Sequence, residues 1–211
     1  IRTPLNAIIG FTDLLNESDN ELDKSEKEQF RGLIHDNGNL LTTLINDILD
    51  LSKLESGTYD MHITSLSAST LCNNAIASVQ NRVKEGVKLF FDDPGYEIIF
   101  NSDPQRALQI LTNLLTNACK CTDAGSITLS YKKIDDNISF SVTDTGCGIP
   151  AEDAEKIFDR FEKLDRFKQG TGLGLNICRQ IATLLKGKIY VDTSYTSGAR
   201  LIFEQPIHQA S

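Results

Sequence analysis

Apolar residues recur at helical spacing over residues 1–56. Ile1, Leu5, Ile8 and Leu15 share one face with Ile9 and Leu14 beside them, until a polar run over residues 16–24 predicts a loop. Ser25, followed three residues later by Glu28, reads as a capping box that opens a second helix. Its stripe runs Phe30, Ile34, Leu41, Leu44, Ile48 and Leu51 with Asn37 as the polar entry, widened by Leu33, Leu40, Ile45 and Leu49. Gly32 and Gly38 each cost a helix interior about 1 kcal/mol relative to Ala. The stripe keeps its phase across both, so one helix to about Ser56 is expected. Two helices cannot cover two stripes. Pairing with a second copy gives a dimeric four-helix bundle; a hairpin packed on the rest of the chain is the alternative.

After Gly57 the pattern turns to mixed helix and strand. Residues 59–63 suggest a short strand and residues 71–83 a helix. Residues 87–91 and 96–100 are apolar runs separated by Asp92, Asp93, Pro94 and Gly95, which predicts a hairpin. Asp103 before Pro104 is a helix start, with the aspartate as cap, and that helix should reach Cys121. Ile127, Leu129 and Tyr131 alternate with polar residues, as do Ile138, Phe140 and Val142 beyond an Asp135-Asp136-Asn137 turn; together they read as an antiparallel pair with one covered face. Residues 175–185 form another helix, and residues 189–191 and 201–203 two closing strands. The expected class is α+β: a helical hairpin over 1–56, a linker over 57–64, and an α/β sandwich over 65–211.

Composition narrows the function. The 211 residues carry a formal charge of −8, which argues against a nucleic-acid partner. No apolar run is long enough to span a bilayer and no signal-peptide order opens the sequence, so the chain as given is expected to be soluble. Its five cysteines include no Cys-x-x-Cys pair, a pattern of reduced thiols in a cytoplasm. A zinc site is disfavoured because His35, His62 and His208 lie far from the close pair Cys119 and Cys121. Each histidine reads as an ordinary exposed side chain.

Three places suggest a nucleotide. On the helix after Asp103, Arg106, Asn113, Asn117 and Lys120 fall together opposite the apolar face. Asparagine inside a helix competes for backbone bonds, so two of them one turn apart ask for a ligand. A carboxamide can hold Mg²⁺ without repelling phosphates, and Lys120 adds a point charge; a solvated helix face is the plain alternative. At the end of the strand through Val142, Asp144-Thr145-Gly146-Cys147-Gly148-Ile149-Pro150 sets a carboxylate beside glycines that let a flat base approach, with an adenine amino group as donor. Gly170-Thr171-Gly172-Leu173-Gly174-Leu175 leads into a helix whose first amides suit an anion; alone, it reads equally as a flexible linker. It is neither a P-loop nor a dinucleotide fingerprint.

In this order, the motifs resemble those of bacterial sensor histidine kinases over nearly the whole chain. Residues 113–120 look like that family's asparagine box, residues 144–150 its first glycine box, Phe158-Asp159-Arg160-Phe161 its phenylalanine box, and residues 170–175 its second glycine box. Ile1-Arg2-Thr3-Pro4-Leu5 looks like the tail of its histidine box, and residues 44–57 like the end of its dimerisation domain. The resemblance implies the Bergerat ATP-binding fold, ATP and Mg²⁺ as cofactors, a homodimer, and a response-regulator receiver domain as partner. It also implies a cytoplasmic location, with any membrane anchor in regions not given.

By matching position, Asn117 would ligand Mg²⁺, Asn113 and Lys120 would contact phosphates, and Asp144 would accept from adenine. Gly146, Gly148 and Ile149 would border the base, and Gly170, Thr171, Gly172, Leu173, Gly174 and Leu175 would wrap the phosphates. Phe158 would anchor a lid over residues 151–169, on which Arg160 and Lys163 are candidates for the terminal phosphate. The charged residues Lys163, Arg166 and Lys168 read equally as a solvated loop. Thr3 would orient water for dephosphorylating the regulator, and Pro4 would kink the first helix. The acceptor histidine would precede Ile1, so the fragment alone is expected to bind ATP without phosphorylating itself. Arg200 stands where many members carry a small hydroxylic residue near the base, which puts that strand's contacts in doubt. A nucleotide-sensing module without phosphotransfer, and a related-fold kinase acting on serine, are the competing readings.

Overall fold

The computed structural model describes residues 1–17, 22–162 and 170–208. By its contacts the chain forms two compact units: residues 1–57 with Gly170 and Thr171, and the domain that begins at Thr58.

The first unit is a helical hairpin of α1 (Arg2–Glu17) and α2 (Lys24–Glu55). Phe11 and Phe30 stack across it with centroids 5.7 Å apart. The helix start differs from the expected one: Asp23 caps α2, accepting from the Glu26 amide at 2.8 Å while the Glu26 carboxylate accepts from the Asp23 amide at 2.9 Å. Starting at Asp23 rather than Ser25 lengthens the helix by half a turn with an equally good box. Asn37, the polar entry in the stripe, satisfies itself by donating to the Leu33 carbonyl at 2.7 Å. Pro4 is buried near the start of α1 as given. No residue of α2 is fully buried, and Ile45, Ile48 and Leu49 are 46%, 40% and 54% exposed. The hairpin alone does not cover its apolar stripe.

The second unit is a five-stranded sheet with three helices on one face. Its strands are β2 (Val87–Asp92), β4 (Gly125–Ile134), β5 (Asn137–Asp144), β6 (Lys188–Val191) and β7 (Ala199–Pro206), in the order β2-β4-β5-β7-β6. β2 and β4 are parallel and the remaining pairs antiparallel. β1 (Thr64–Ser67) and β3 (Ile99–Ser102) form a separate antiparallel pair. The helices α3 (Ala68–Val79), α4 (Pro104–Cys121) and α5 (Gly174–Leu184) pack on the inner face. There Ile127, Leu129, Ile138, Phe140, Val142 and Phe203 are all fully buried. Each such side chain contributes about 1.5–3 kcal/mol by leaving water.

Two strand expectations are corrected. Residues 59–63 form no strand: they are fastened to the start of α4, where the His62 amide donates to Asp103 Oδ2 at 2.8 Å and Arg106 lies 4.2 Å over the Tyr59 ring. The hairpin over residues 87–100 does not form, because β2 pairs with β4 and β3 with β1. Between them the chain is held over the sheet by Tyr131, whose hydroxyl donates to the Tyr96 carbonyl at 2.6 Å and whose ring meets Tyr96 edge-on at 6.3 Å.

Candidate functional site

Helix α4 organises the site. Asp103 caps it by accepting from the amides of Gln105 and Arg106 at 3.0 and 3.1 Å, and Pro104 fills the first position, where an amide would be unused. Ala107, Ile110, Leu111, Leu114, Leu115, Ala118 and Cys119 go into the core, which leaves Asn113 and Asn117 half-buried on the other side and Lys120 exposed. Among the described residues neither carboxamide has a protein hydrogen-bond partner. Arg106 leaves the expected polar set: it is committed to Tyr59 and to Gln109 Oε1, 3.0 Å away.

Asp144 ends the inward row of β5. It pairs in register with Ile127 and Ala199 and therefore points to the helix side, where it is only 2% exposed. Its Oδ1 accepts from the Gly146 amide at 2.8 Å and from the Ala199 amide at 3.4 Å, fixing the glycine loop to two strands. Gly146 lies so close to the Cys121 carbonyl, at the end of α4, that a Cβ has no room. Gly148 takes a φ of 74° and backs onto Gly198, which itself sits against the Asp144 carbonyl. Ile149 is half-buried beside them. At the C-cap of α4 the Thr122 hydroxyl is buried with no partner among the described residues. An orphan of this kind costs about 1–3 kcal/mol unless a ligand or water meets it.

The second glycine run meets the same helix at its middle, at Asn113. A Cβ on Gly174, the first residue of α5, would lie 2.6 Å from Asn113 Nδ2. No side chain caps α5, so its first amides present the positive end of the helix beside Asn113. Leu173 is fully buried, and Leu175 is half-buried in the first turn. Gly172, with φ 71°, accepts from the Phe161 amide at 2.8 Å. Phe158 is fully buried under α5: Asn176 donates to its carbonyl at 2.8 Å and the Arg179 guanidinium covers its ring at 4.4 Å.

Not every expected residue joins this cluster. Arg160 is exposed. Lys163, Arg166 and Lys168 lie outside the described residues, as do residues 163–169 of the expected lid. Gly170 and Thr171 group with the helical unit, where the Thr171 hydroxyl donates to Asp47 at 2.7 Å, and Thr3 is exposed on α1. Arg200 does not meet Asp144. It faces the outer side of the sheet, bonded to Thr143 Oγ1 at 3.1 Å and Asp192 at 3.2 Å, and the residue that meets Asp144 is its neighbour Ala199. Sequence reasoning missed Gly198, Thr122 and Asn176. Gly198 carried a signal, a glycine opening a strand, but nothing pointed to its partner.

An α/β domain that gathers two glycine loops, a buried carboxylate and a carboxamide pair around one helix is a nucleotide-binding domain. The chain belongs to the histidine kinase-, DNA gyrase B- and HSP90-like ATPase family, whose model matches residues 102–209, and residues 1–57 match the His Kinase A (phospho-acceptor) domain. It is thus an ATP-binding histidine kinase core joined to a domain type that dimerises. Sensor histidine kinase RcsC of Escherichia coli is 36% identical over 216 residues, covering 100% of this chain and 22% of its own length. The circadian input-output histidine kinase CikA of Synechococcus elongatus is 36% identical over 208 residues, covering 94% and 28%. The chain therefore spans less than a third of these relatives. Among solved structures, ShkA in complex with AMPPNP superposes with TM-score 0.77 at 29% identity, covering 100% of this chain and 44% of that one. Histidine kinase ThkA, solved with response regulator protein TrrA, gives 0.78 at 25%, covering 98% and 58%. Among the described residues no helix is long and apolar enough to cross a membrane.

Proposed function

We propose that this chain binds Mg-ATP on α4 and passes the γ-phosphoryl group to a histidine imidazole, from which it moves to an aspartate of a response-regulator receiver domain. The observation that carries the reading is the meeting on one helix of Gly174 against Asn113 and Gly146 against Cys121. That brings an anion-binding helix end and a buried carboxylate to the two ends of one carboxamide face.

In this reading Asp144 accepts from the adenine amino group, Gly146, Gly148 and Ile149 border the base, and the run from Gly172 to Leu175 lies against the phosphates. Asn113 and Lys120 contact phosphate oxygens, and Phe158 anchors the segment that carries Arg160 and Lys163. Asn117 holds Mg²⁺ through its carbonyl oxygen, a hard neutral donor with no protein partner among the described residues. The ion would supply charge neutralisation of the phosphate chain. What the protein contributes is alignment, which phosphoryl transfer needs most because its transition state is loose.

The regulator as partner is supported by the similarity to ThkA, which was solved with one. A homodimer through the helical unit follows from the half-covered stripe of α2, and Thr3 would orient the water that dephosphorylates the regulator. Calorimetry with ATP, with and without Mg²⁺, tests the site. Tight binding that depends on Mg²⁺ and weakens in Asn117→Ala is expected; no Mg²⁺-dependent affinity ends the proposal. For the transfer, [γ-³²P]ATP supplied to a chain extended upstream through the acceptor histidine should leave an acid-labile label, whereas acid-stable label would point to serine.

A further inference from the structure

Two cysteines are joined through their backbones at the wall of the candidate nucleotide site. Cys121 ends α4, and its carbonyl accepts the backbone amide of Cys147 at 3.3 Å. Cys147 is exposed in the loop that follows Asp144, and Cys121 is half-buried. A direct backbone bond of this kind keeps two Cα atoms roughly 5–7 Å apart, which overlaps the span of about 4.4–6.8 Å that a disulfide bridges. The other three thiols, Cys72, Cys119 and Cys178, are buried. Burial, with Asp93 and Glu97 nearby, pushes the Cys72 thiol up to about 12. Burial also raises Cys119, against the opposing pull of Arg82 and Lys84. A buried, protonated thiol neither attacks nor is reached.

We infer that Cys147 and Cys121 form a reversible disulfide when the chain meets a peroxide, and that this modification closes the ATP site; the effect on ATP rests on the site reading given above. The chemistry is balanced in two steps. The Cys147 sulfur attacks one peroxide oxygen and the O–O bond breaks, giving a sulfenic acid and, with the thiol proton, one water. The Cys121 sulfur then attacks the sulfenic sulfur: an S–S bond forms, the S–O bond breaks, and hydroxide leaves with the Cys121 proton as a second water. Two thiols give up two electrons, and the peroxide accepts them.

The consequence for the site follows from packing. Gly146 already lies against the Cys121 carbonyl with no space for a Cβ. A sulfur–sulfur bond of about 2.05 Å draws Cys147 from its exposed position onto the end of α4. The adjacent Gly148, at φ 74°, is the residue able to take up the turn. Gly148 and Ile149 then move relative to Asp144, whose Oδ1 is tied to Gly146 and Ala199.

The test treats the chain with hydrogen peroxide, maps linked peptides by mass spectrometry without reduction, and measures ATP affinity by calorimetry before oxidation, after it, and after dithiothreitol. A Cys121–Cys147 peptide, an affinity at least tenfold weaker, and recovery on reduction are expected. Saturating ATP should slow the linkage. Cys121→Ser should give no linked peptide and leave a Cys147 sulfenic acid that dimedone traps. Progress of Cys147 to sulfinic acid without linkage in the unsubstituted chain overturns the inference, as does a linked protein that binds ATP with undiminished affinity. A reduced chain with no affinity for ATP overturns both the site reading and its closure; tight binding by the reduced chain with no linked peptide overturns this inference alone.

Discussion

Replacing Gly174 by alanine separates the site from the fold. The new methyl group would lie 2.6 Å from Asn113 Nδ2 and 2.8 Å from Oδ1, well inside the ordinary contact of about 3.5–4.0 Å. Gly174 begins α5 without a positive φ, so alanine meets no backbone strain there and gains up to about 1 kcal/mol of helix propensity. Asn113 is half-buried and can turn aside, at a rotamer cost of about 0.5–1.5 kcal/mol. These terms nearly cancel, and the melting temperature should move by no more than about 2–4 °C. Binding should respond much more. A carboxamide turned from a phosphate oxygen loses a charge-assisted hydrogen bond of about 1.5–3 kcal/mol, which is roughly 10- to 150-fold in the ATP dissociation constant. Calorimetry on Gly174→Ala, Asn113→Ala and the double variant reads both effects. Because alanine at 174 acts only through Asn113, the double variant should bind no worse than Asn113→Ala alone. An unchanged affinity in Gly174→Ala, or losses that add in the double variant, would refute the reasoning.

Four further outcomes are expected. Asp144→Asn keeps an oxygen for the Gly146 amide but turns half of the carboxylate into a donor. ATP affinity should fall by more than about tenfold with the fold intact, and calorimetry showing no loss would remove Asp144 from the adenine contact. Phe158→Ala empties a fully buried position under Arg179 and should cost about 3–5 kcal/mol in urea unfolding; a loss under 1 kcal/mol, on the order of a surface change, would contradict its anchoring role. Ile48→Glu puts a charge on a residue 40% exposed on the incompletely covered stripe of α2 and should shift sedimentation from dimer to monomer, whereas a stable dimer would place the seam elsewhere. Burial favours the neutral form of Glu204, but hydrogen bonds from Tyr190 and Lys188 outweigh it and hold the carboxyl below its ordinary 4.5. A lowered folded pKa adds stability above the unfolded value and loses it as pH falls through the folded one. The stability gap between the parent and Glu204→Gln should therefore be full at pH 7 and shrink as pH falls below about 4.5; a gap independent of pH in denaturant titrations would disprove the linkage.

The parts of the fold that local pattern encodes were legible in the sequence. Helix α4 is written out by its Asp103-Pro104 cap and its seven-residue buried face, and the β4–β5 pair by strict alternation. What failed were choices among equal local options. Asp23-x-x-Glu26 and Ser25-x-x-Glu28 are both capping boxes, and the earlier one prevails because it adds helical residues at no loss of caps. Two apolar runs around Asp93-Pro94-Gly95 look the same whether they pair with each other or with distant strands. The deciding contact, Tyr131 on Tyr96, spans 35 residues. The face Arg200 takes depends on a pairing of the same kind: a shift of one residue reverses the face of a strand side chain, and the register Asp144↔Ala199 turns Arg200 outward.

The site repeats this division in a more consequential way. Sequence reveals that a glycine is present but not what it touches, and here the touching partner is each time another motif. Gly146 is pressed on the end of α4, Gly174 on Asn113, Gly198 on Asp144, and Gly172 on the backbone of Phe161. A glycine needed only for a turn can be moved or replaced with local effect. One needed because another motif occupies the space of its Cβ transmits any change to that motif. The boxes that read as separate signatures along the chain are thus one packed unit through α4 and α5, and substitutions in different boxes should couple rather than add.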